Sequence, residues 1–364
     1  MSKLESLRAE LSALDRDILA AVARRTEISL EIGRAKQDLG FGTRDFAREK
    51  VVLDRAHAAA VELGISPALA ERLTLMLIQA SLSAQEQHRV AQTNTGSGRR
   101  ALVIGGAGKM GRWFAGFLAA QGFGVTVADP LPGPDGVDRV EDWRALELDH
   151  DLIVVAAPLH ATNDVLHELA RRAPTGVVFD VGSLKTPLRS GLIALRDAGV
   201  RVTSVHPMFG PDTSLLSGRH VIFVDLGVPE ATAVARTLFA ATMAELADMD
   251  LDTHDRLIAF VLGLSHAVNL AFNDALAASG ADLPMLARIS STTFDAQLDV
   301  SSRVAQENPR LYFEIQAQNA YGDTSLAALE RSVERLRELV SRQDEAGFVQ
   351  LMTAGRDYVN ARRR

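Results

Sequence analysis

The chain has 364 residues, 47% of them hydrophobic, and a formal net charge of −7. This is enough for two or three domains with well-filled cores. The negative charge and an aromatic content of 5% argue against a nucleic-acid partner. The absence of cysteine excludes disulfides, thiolate metal sites and cysteine nucleophiles. The N-terminus has no apolar signal core and no apolar run long enough to span a bilayer, so we expect a cytoplasmic protein without a membrane partner.

Residues 1–92 are predicted to be a helical domain, with breaks near GFG and GISP and further helices over 44–62 and 68–90. The apolar residues of the first helix recur at steps of three and four: Leu4, Leu7, Leu11, Leu14 and Ile18. This helix continues to about Lys36, and so small a domain cannot cover its apolar stripe. We therefore expect a second copy of the chain to cover it in a homodimer.

The same helices carry a set of polar side chains at helical spacing. Arg25 and Lys36 are eleven residues apart, which places them on one face about 16 Å apart along the axis. Ser81 and Gln85 lie one turn apart on the third helix. The second helix opens with three more charged residues: Asp45, Arg48 and Glu49. A solvated face of an oligomerising helix would explain one arginine, but not the full set.

Residues 93–100 (TNTGSGRR) are a polar linker. Short apolar strands are then predicted at 101–105, 125–129, 152–158, 177–182 and 202–207, and 220–225 is a candidate for a further strand. Helical stretches separate most of them, which predicts an α/β Rossmann domain with a doubly wound parallel sheet over 101–228. Residues 229–364 are rich in Ala and Leu and are predicted to be helical throughout. The expected fold is therefore multidomain: all-α, then α/β, then all-α.

A glycine-rich motif, VIGGAGKMG, follows the first strand and opens a helix. Three glycines have G-x-G-x-x-G spacing: Gly106, Gly108 and Gly111. Such a loop, here including Lys109 and Met110, binds the pyrophosphate of a dinucleotide at a helix N-terminus. Asp129 ends the second strand, where a carboxylate accepts hydrogen bonds from ribose hydroxyls and repels a 2′-phosphate. The sequence therefore predicts a bound NAD rather than NADP.

The stretch SVHPMFGPD (204–212) places His206 at the end of a short apolar strand, among two prolines and a glycine. These residues restrict the backbone of the loop. Open α/β sheets carry their ligand sites on loops just past strand ends. An incidental histidine in a tight turn is the alternative, and we favour the functional interpretation.

Together these motifs resemble a known family. HPMFGPD, the preceding GSLK and the glycine motif resemble the prephenate dehydrogenases, as do THDRLIAFVLGLSHA (253–267) and AQENPRLYFEI (305–315) of their substrate and dimerisation domain. Residues 1–92 resemble the helical chorismate mutases. The order resembles the bifunctional fusions of tyrosine biosynthesis. The resemblance implies an isomerase that converts chorismate to prephenate and an NAD-dependent oxidoreductase that converts prephenate to 4-hydroxyphenylpyruvate.

The resemblance also implies residue roles in the mutase. Three arginines would bind the carboxylates of chorismate, the first of them donated across the dimer: Arg8, Arg25 and Arg48. The groups implied for the ether oxygen are Lys36 and Gln85, and Glu49 is implied for the C4 hydroxyl. Asp45 and Ser81 complete the substrate pocket. A non-catalytic dimerisation or regulatory module is the alternative for this domain.

In the dehydrogenase, the resemblance implies that His206 accepts the hydroxyl proton of the substrate, since an imidazole can take up a proton near neutral pH. Ser183 is implied to hydrogen-bond the same hydroxyl, and Lys185 supplies a nearby positive charge. His266 would line the substrate pocket, and in some members it is linked to sensitivity to tyrosine, a possible feedback ligand. Neither His254 nor His266 has a metal-ligand partner at i+4, so we expect no metal.

Asp295 departs from the family pattern, which has an arginine for a substrate carboxylate at the aligned position. Two like charges about 4 Å apart repel by about 4 kcal/mol at an effective dielectric constant of about 20. Asp295 would suit a substrate with an ammonium group, such as arogenate, and 4-amino-4-deoxyprephenate is a further candidate. Alternatively, another cation such as Arg288 or Arg303 binds the substrate carboxylate, or Asp295 points away or pairs with a neighbouring arginine. In these cases prephenate, the product of the mutase, remains the substrate.

Overall fold

A computed structural model of the chain describes residues 2–361. Contacts within the backbone divide the chain into two compact units. The first unit consists of the residues up to Gly182 together with Gly191–Met249. The second consists of Ser183–Ser190 and the residues from Asp250 onward. The N-terminal helices and the sheet therefore belong to one unit, whereas Ser183–Ser190 belongs with the C-terminal helices.

The N-terminal domain contains three helices, α1 (Lys3–Asp38), α2 (Phe46–Leu63) and α3 (Pro67–Thr93). Helix α1 begins with a capping box between Ser2 and Glu5, which satisfies amides of its first turn. Both α1 and α2 pack against α3. The predicted apolar stripe of α1 is 53–61% exposed in the single chain: Leu4, Leu7, Leu11, Leu14 and Ile18.

The sheet belongs to the same unit. Its eight strands among the described residues are β1 (Arg100–Ile104), β2 (Gly124–Ala128), β3 (Asp138–Val140), β4 (Leu152–Val155), β5 (Val177–Asp180), β6 (Val202–Pro207), β7 (His220–Val224) and β8 (Glu245–Met249). Their order is β3-β2-β1-β4-β5-β6-β7-β8. Strands β1 to β6 run parallel, β7 is antiparallel to β6, and β8 is parallel to β7. The helices between strands are α4 (Lys109–Ala120), α5 (Leu159–Arg172), α6 (Arg189–Asp197) and α7 (Pro229–Phe239).

A buried aromatic cluster holds α4 against the sheet. Phe114 of α4 lies 6.0 Å from Phe179 of β5 and 6.4 Å from Phe239 of α7, measured between ring centroids. All three side chains are fully buried. Edge-to-face contacts of this kind add to the free energy gained by burying the rings. The cluster thus fixes the helix whose N-terminus carries the glycine-rich loop.

The second unit is helical. Its helices are α8 (Leu251–Ile258), α9 (Ser265–Ala278), α10 (Leu283–Arg288), α11 (Thr292–Ala305), α12 (Pro309–Ala317), α13 (Gly322–Ser341) and α14 (Glu345–Asn360), and a π-helical turn, Ala259–Leu264, joins α8 to α9. Contrary to the sequence expectation, the stretch Leu251–Ala278 is long and apolar enough to cross a membrane, by length and composition only. Core helices of globular proteins meet the same criterion. His254 and Asp255 in this stretch are fully buried polar side chains.

The predicted order of a helical domain, a Rossmann sheet and a helical domain is confirmed. The expectation that no strand follows residue 228 was wrong, because β8 extends the sheet to Met249. Its residues, ELADM, are only partly buried at the sheet edge, so they lack the continuous apolar pattern of the inner strands. The compact units divide at 249/250 rather than at 228/229, and the segment between α3 and β1 spans 94–99.

Candidate active sites

The polar residues predicted in the N-terminal domain converge on one cavity of about 280 Å³, which we call the N-terminal cavity. Helices α1, α2 and α3 all contribute to its lining. Seven of the eight predicted residues line it: Arg25, Lys36, Asp45, Arg48, Glu49, Ser81 and Gln85. Arg8 is not among the lining residues and lies exposed on α1. Asp45 also caps α2, since its Oδ1 accepts the Arg48 amide at 2.9 Å.

Two cations of the N-terminal cavity bond to neutral oxygens. Arg25 donates to the Leu77 carbonyl at 2.6 Å and to the Ser81 hydroxyl, and burial lowers the pKa of its guanidinium. Lys36 Nζ donates to the Thr43 carbonyl at 2.9 Å. Neither cation forms an ion pair with a carboxylate in the described part of the chain. Their positive charge is therefore available to an anionic ligand.

Gln85 is buried at the back of this cavity. Its Nε2 donates to the Ser29 carbonyl at 2.8 Å and to the Ser29 hydroxyl at 2.7 Å. A carbonyl oxygen only accepts, so the amide nitrogen must face it. The Gln85 Oε1 is buried and has no hydrogen-bond partner among the described residues. In this orientation the unpaired polar atom of Gln85 is an acceptor, whereas Lys36 supplies donors.

The carboxylate of Glu49 is held by a residue that the sequence analysis missed. Arg44 Nε donates to Glu49 Oε1 at 2.9 Å and Arg44 Nη2 donates to Oε2 at 3.0 Å. This bidentate pairing fixes the plane of the carboxylate. Arg44 begins the predicted helix 44–62 but lies just before α2 in the structure, and its position in the pattern gave no reason to select it.

The glycine-rich loop fits a dinucleotide. A Cβ atom on Gly111 would lie 2.2 Å from the Gly105 carbonyl oxygen, so only glycine allows α4 to pack this closely on β1. At Gly108 the nearest atom to such a Cβ is that same oxygen, at 3.3 Å, so the space above the backbone is open to a ligand. Gly108 is also the N-cap of α4 and supplies no side-chain cap. The first amides of the helix are thus free to bind phosphate oxygens.

Asp129 follows β2 and makes hydrogen bonds with the glycine-rich loop and with its own loop. Its Oδ2 accepts the amide of Ala107 in the glycine-rich loop at 3.0 Å, and its Oδ1 accepts the Leu131 amide at 2.9 Å. Each oxygen keeps a second lone pair that can accept a ribose hydroxyl. Arg139, which the sequence analysis did not single out, donates to the carbonyls of Asp129, Pro130 and Leu131 at 2.9–3.1 Å.

His206 lies at the carboxyl edge of the sheet. The pairing of β5 with β6 ends at Asp180 and Ser204, so His206 is two residues beyond the end of β5. On its other side it pairs with Ile222 of β7. The side chain is 4% exposed. Since the glycine-rich loop follows the parallel strand β1, the loop and the histidine share one edge of the sheet.

Ser183 and Lys185 belong to the second unit, where Asp255 organises their segment. Asp255 Oδ1 accepts the Lys185 amide at 2.9 Å and contacts the His254 Nδ1 at 2.6 Å, and Oδ2 accepts the amide and hydroxyl of Thr186. Burial raises the pKa of Asp255, but hydrogen bonds from His254, Thr186 and Lys185 outweigh it and the net pKa is lowered. The sequence left the role of His254 open, and its contact with Asp255 favours a structural one.

His266 lies on α9 directly after the π-helical turn, a distortion often found at functional sites. Its ring stacks on Tyr312 with centroids 4.1 Å apart. Burial lowers the pKa of His266, because it disfavours the charged ring. Its Nδ1 is buried and has no hydrogen-bond partner within residues 2–361. Tyr312 lies within the AQENPRLYFEI motif, but the sequence gave no reason to select it.

Asp295 lies in the first turn of α11 and is exposed. It accepts a hydrogen bond from the Ser290 hydroxyl, and a carboxylate is favoured there by the helix dipole. Neither Arg288 nor Arg303 pairs with it in the described part of the chain. Over the same residues no group of three or more His, Asp or Glu could hold a metal ion.

Three family models match successive parts of the chain. Chorismate mutase type II matches residues 7–86. The nucleotide-binding and dimerization domains of prephenate dehydrogenase match residues 136–246 and 250–354. The two dehydrogenase models together cover more than half of the chain. The chain belongs to the prephenate dehydrogenase family.

Relatives of this dehydrogenase support the same assignment. It is 26% identical to the T-protein of Enterobacter agglomerans over 96% of this chain and 91% of that protein. It is 30% identical to the 4-amino-4-deoxyprephenate dehydrogenase of Streptomyces pristinaespiralis over 69% of this chain and 88% of that protein. The fold is similar to that of the A. aeolicus prephenate dehydrogenase in complex with hydroxyphenyl propionate and NAD+, at 19% identity and a TM-score of 0.58, over 72% of this chain and 98% of that chain.

The enzyme thus joins a chorismate mutase domain to an NAD-dependent prephenate dehydrogenase, so it combines an isomerase with an oxidoreductase. The predicted family, activities and cofactor are confirmed. The glycine-rich loop and Asp129 lie at the carboxyl ends of β1 and β2. His206 lies at the end of β6, on the same edge of the sheet.

Proposed function

We propose that chorismate is rearranged to prephenate in the N-terminal cavity and that prephenate is oxidised to 4-hydroxyphenylpyruvate at the sheet edge that carries His206. The convergence of seven predicted polar residues on one cavity carries the proposal for the mutase. A merely structural module has no need of Arg25 and Lys36 as two unneutralised cations in a partly apolar cavity. We therefore set aside the non-catalytic alternative for this domain.

The rearrangement of chorismate needs no acid, base or nucleophile. The enzyme has to hold the dianion in a compact chair and stabilise the charge that builds on the ether oxygen. Arg25 and Arg48 bind the carboxylates, and Lys36 donates to the ether oxygen. Glu49 accepts the C4 hydroxyl, held in place by Arg44. Arg25 and Lys36 are partly buried in this cavity, where their charge is screened less than in bulk water.

In the dehydrogenase, the glycine-rich loop and Asp129 would hold NAD, which would supply the acceptor for the hydride from C4 of the substrate. His206 accepts the proton of the C4 hydroxyl, so a ring ketone forms. The bond between the ring and its carboxylate then breaks, CO2 leaves, and the bonding electrons pass into the ring. The ketone oxygen becomes a phenolate and recovers a proton. His206 lies in a buried position, which shields this proton from bulk water.

Prephenate is the substrate that the mutase itself supplies, and we propose it as the preferred one. Asp295 occupies the position of the expected arginine, which is the argument for an amino-bearing analogue. Its hydrogen bond to Ser290 and its place in the first turn of α11 supply a local role for the carboxylate. We therefore propose that Asp295 weakens prephenate binding without replacing prephenate as the substrate.

We further propose that the enzyme works as a homodimer in the cytoplasm. The exposed stripe of α1 supports this, because five large apolar side chains on one helix face are rarely left in water. A second copy packed along α1 would cover them and bring Arg8 to the cavity of its partner. Tyrosine, the product of the pathway, is a feedback ligand to test with variants of His266.

The test follows NADH formation from two starting substrates. With chorismate and NAD, the wild type produces NADH only if both sites work in sequence. Arg25→Ala is expected to lose this activity with chorismate but to keep it with prephenate. His206→Asn is expected to bind NAD normally, to convert chorismate to prephenate, and to lose NADH formation from prephenate by about 10²- to 10⁴-fold.

The two variants control for one another, since each should leave the other site intact. Wild-type protein that leaves chorismate unchanged would overturn the mutase proposal. Near-normal NADH formation by H206N would remove His206 as the proton acceptor.

Substrate preference is tested by comparing kcat/KM for prephenate, arogenate and 4-amino-4-deoxyprephenate in the wild type and in Asp295→Arg. We expect prephenate to be the best substrate of the wild type and the substitution to raise its kcat/KM. A wild type that prefers an amino analogue would contradict the proposed substrate. If D295R does not help prephenate, the argument from charge reversal is wrong.

A further inference from the structure

Residues 208–219 connect β6 to β7 directly after His206, and we call this segment the histidine loop. Side chains of the N-terminal domain make three hydrogen bonds with it: Ser83 Oγ to the Ser214 carbonyl at 3.1 Å, Glu86 Oε2 from the Leu216 amide at 2.7 Å, and Arg44 Nη1 to Ser217 Oγ at 2.8 Å. All of these residues belong to the first compact unit. Hydrogen bonds from the mutase domain therefore hold the loop that follows His206.

Arg44 contacts both the N-terminal cavity and the histidine loop. Its Nε and Nη2 hold the two oxygens of Glu49, which lines the N-terminal cavity, and its Nη1 holds Ser217. The guanidinium also lies over the ring of Phe46, 4.4 Å from its centroid. A guanidinium is planar and rigid, so these contacts fix the carboxylate and the loop hydroxyl relative to each other.

The histidine loop is short and anchored, so its position bears on His206. The Met208 amide donates to the His220 carbonyl at 2.9 Å, which closes the loop two residues after His206. On the far side, Ser217 is three residues before β7, whose Ile222 pairs with His206. A shift at Ser217 is therefore transmitted over a few residues to the strand pair that holds the histidine.

From these contacts we infer that Arg44 is a positioning residue shared by the two active sites. It orients Glu49 for the mutase and, through Ser217, sets the histidine loop for the dehydrogenase. The inference rests on the proposed roles of Glu49 and His206. Arg44 touches neither substrate, and it acts through the groups that it holds.

A double-mutant cycle on the full-length enzyme tests this inference. Arg44→Ala should lower mutase kcat/KM and dehydrogenase kcat, each roughly fivefold, the effect of losing one hydrogen bond of typical net strength. Ser217→Ala should lower dehydrogenase kcat by a similar factor and leave the mutase unchanged. The double variant should be no slower in the dehydrogenase than R44A alone, because both substitutions break the same link.

Arg44→Lys separates the two roles further. A lysine ammonium is a point charge on a flexible stem and cannot hold Glu49 and Ser217 in one fixed plane. We expect R44K to recover much of the mutase activity but not the dehydrogenase kcat. In all variants KM for NAD should stay at the wild-type value, since the glycine-rich loop makes no contact with Arg44.

Arg236→Ala is the matched control. Arg236 also forms an ion pair, in which its Nη1 donates to both oxygens of Asp248, and it lies over an aromatic ring, that of Phe223. Its side chain is 35% exposed, against 33% for Arg44. R236A should keep both activities. Additive losses in the cycle, or a wild-type dehydrogenase kcat in S217A, would overturn the inference. Failure of the proposed function is distinguishable, because it would appear in the wild type as the absence of either activity.

Discussion

The carboxylate of Asp255 accepts the backbone amide of Lys185 at 2.9 Å, across 70 residues of sequence. The same carboxylate accepts the amide and hydroxyl of Thr186 and contacts the ring of His254. It is 1% exposed. One buried carboxylate therefore fixes the backbone of the segment that carries Ser183 and Lys185. The positions of the side chains on this segment depend on such supporting contacts.

We predict that Asp255→Asn destabilises the enzyme and slows the dehydrogenase. An asparagine offers one acceptor oxygen and turns its NH2 group toward another donor, so a buried amide loses its partner. The free energy of unfolding should fall by about 3 kcal/mol, measured by denaturant titration. Asp357→Asn is the control, because Asp357 is 68% exposed in its ion pair. Equal stability of D255N and D357N would contradict the role given to Asp255.

The contribution of Asp255 should also depend on pH in a defined direction. Its folded-state pKa is lowered from the ordinary 3.8, so the folded chain binds this proton less tightly than the unfolded chain. The stabilisation is then present above pH 3.8 and is lost as the pH falls through the lowered pKa. The difference in unfolding free energy between wild type and D255N should therefore shrink below pH 3.8. If the difference in unfolding free energy between wild type and D255N stayed constant down to pH 2, the ionised Asp255 would not be its source.

A second prediction concerns the close approach of α4 to β1. Gly111→Ala places a methyl group 2.2 Å from the Gly105 carbonyl oxygen, so the helix N-terminus has to move. We expect NAD affinity to fall roughly tenfold and unfolding free energy to fall by about 1–3 kcal/mol. Quenching of tryptophan fluorescence by NAD measures the first effect.

Gly116→Ala in the same helix is the matched control. A Cβ atom there meets nothing within 4 Å, and alanine is the better helix former by about 1 kcal/mol. G116A should bind NAD like the wild type and be at least as stable. If G111A and G116A bind NAD equally well, the packing argument for the fingerprint glycine is wrong.

The features that the sequence predicted are those with local signals. The glycine spacing, the strand that precedes it and Asp129 lie within 30 residues, and their meaning comes from a fixed geometry. The polar faces of α1 and α3 follow from helical periodicity, which places Arg25, Lys36, Ser81 and Gln85 on inward faces.

The contacts that the sequence could not predict join distant segments. Arg44 and Ser217 are 173 residues apart, and Glu86 accepts the amides of Leu216 and Met243 from two separate loops. No periodicity links such residues. Strand β8 was missed for a different reason: an edge strand that is only partly buried has little need of apolar residues.

A third prediction concerns Glu86, whose pKa is raised by burial, although the Leu216 and Met243 amides and the charge of Arg89 oppose the shift. Between its ordinary value of 4.5 and the raised pKa, the folded enzyme binds more protons than the unfolded chain. Unfolding free energy should therefore fall as the pH rises through this window. Glu86→Gln removes this component, so the wild type should lose stability relative to E86Q over the window.

Exposed Glu62 serves as the control, and E62Q should follow the pH dependence of the wild type. If the unfolding free energy of E86Q fell with rising pH as steeply as that of the wild type, Glu86 would not be the source of this pH dependence.

The last prediction concerns Arg8, which is exposed on α1 and absent from the cavity lining of its own chain. If the apolar stripe of α1 packs against a second copy, Arg8 reaches the cavity of the partner. Arg8→Ala and Arg25→Ala should each abolish most mutase activity in a homodimer. When the two variants are co-expressed, half of the dimers are mixed. Each mixed dimer contains one cavity with Arg25 of one chain and Arg8 of the other, so about one quarter of wild-type activity should return.

Co-expression of Arg25→Ala with Lys36→Ala is the matched control. Both residues line the same cavity of one chain, so every cavity in a mixed dimer lacks one of them and no activity should return. Dehydrogenase activity in all these mixtures should stay at the wild-type level, which confirms folding. If R8A and R25A fail to complement while each chain still dimerises, Arg8 acts within its own chain or not at all. Complementation by R25A and K36A would instead mean that the cavity is assembled from two chains, contrary to the contacts of α1, α2 and α3 in one chain.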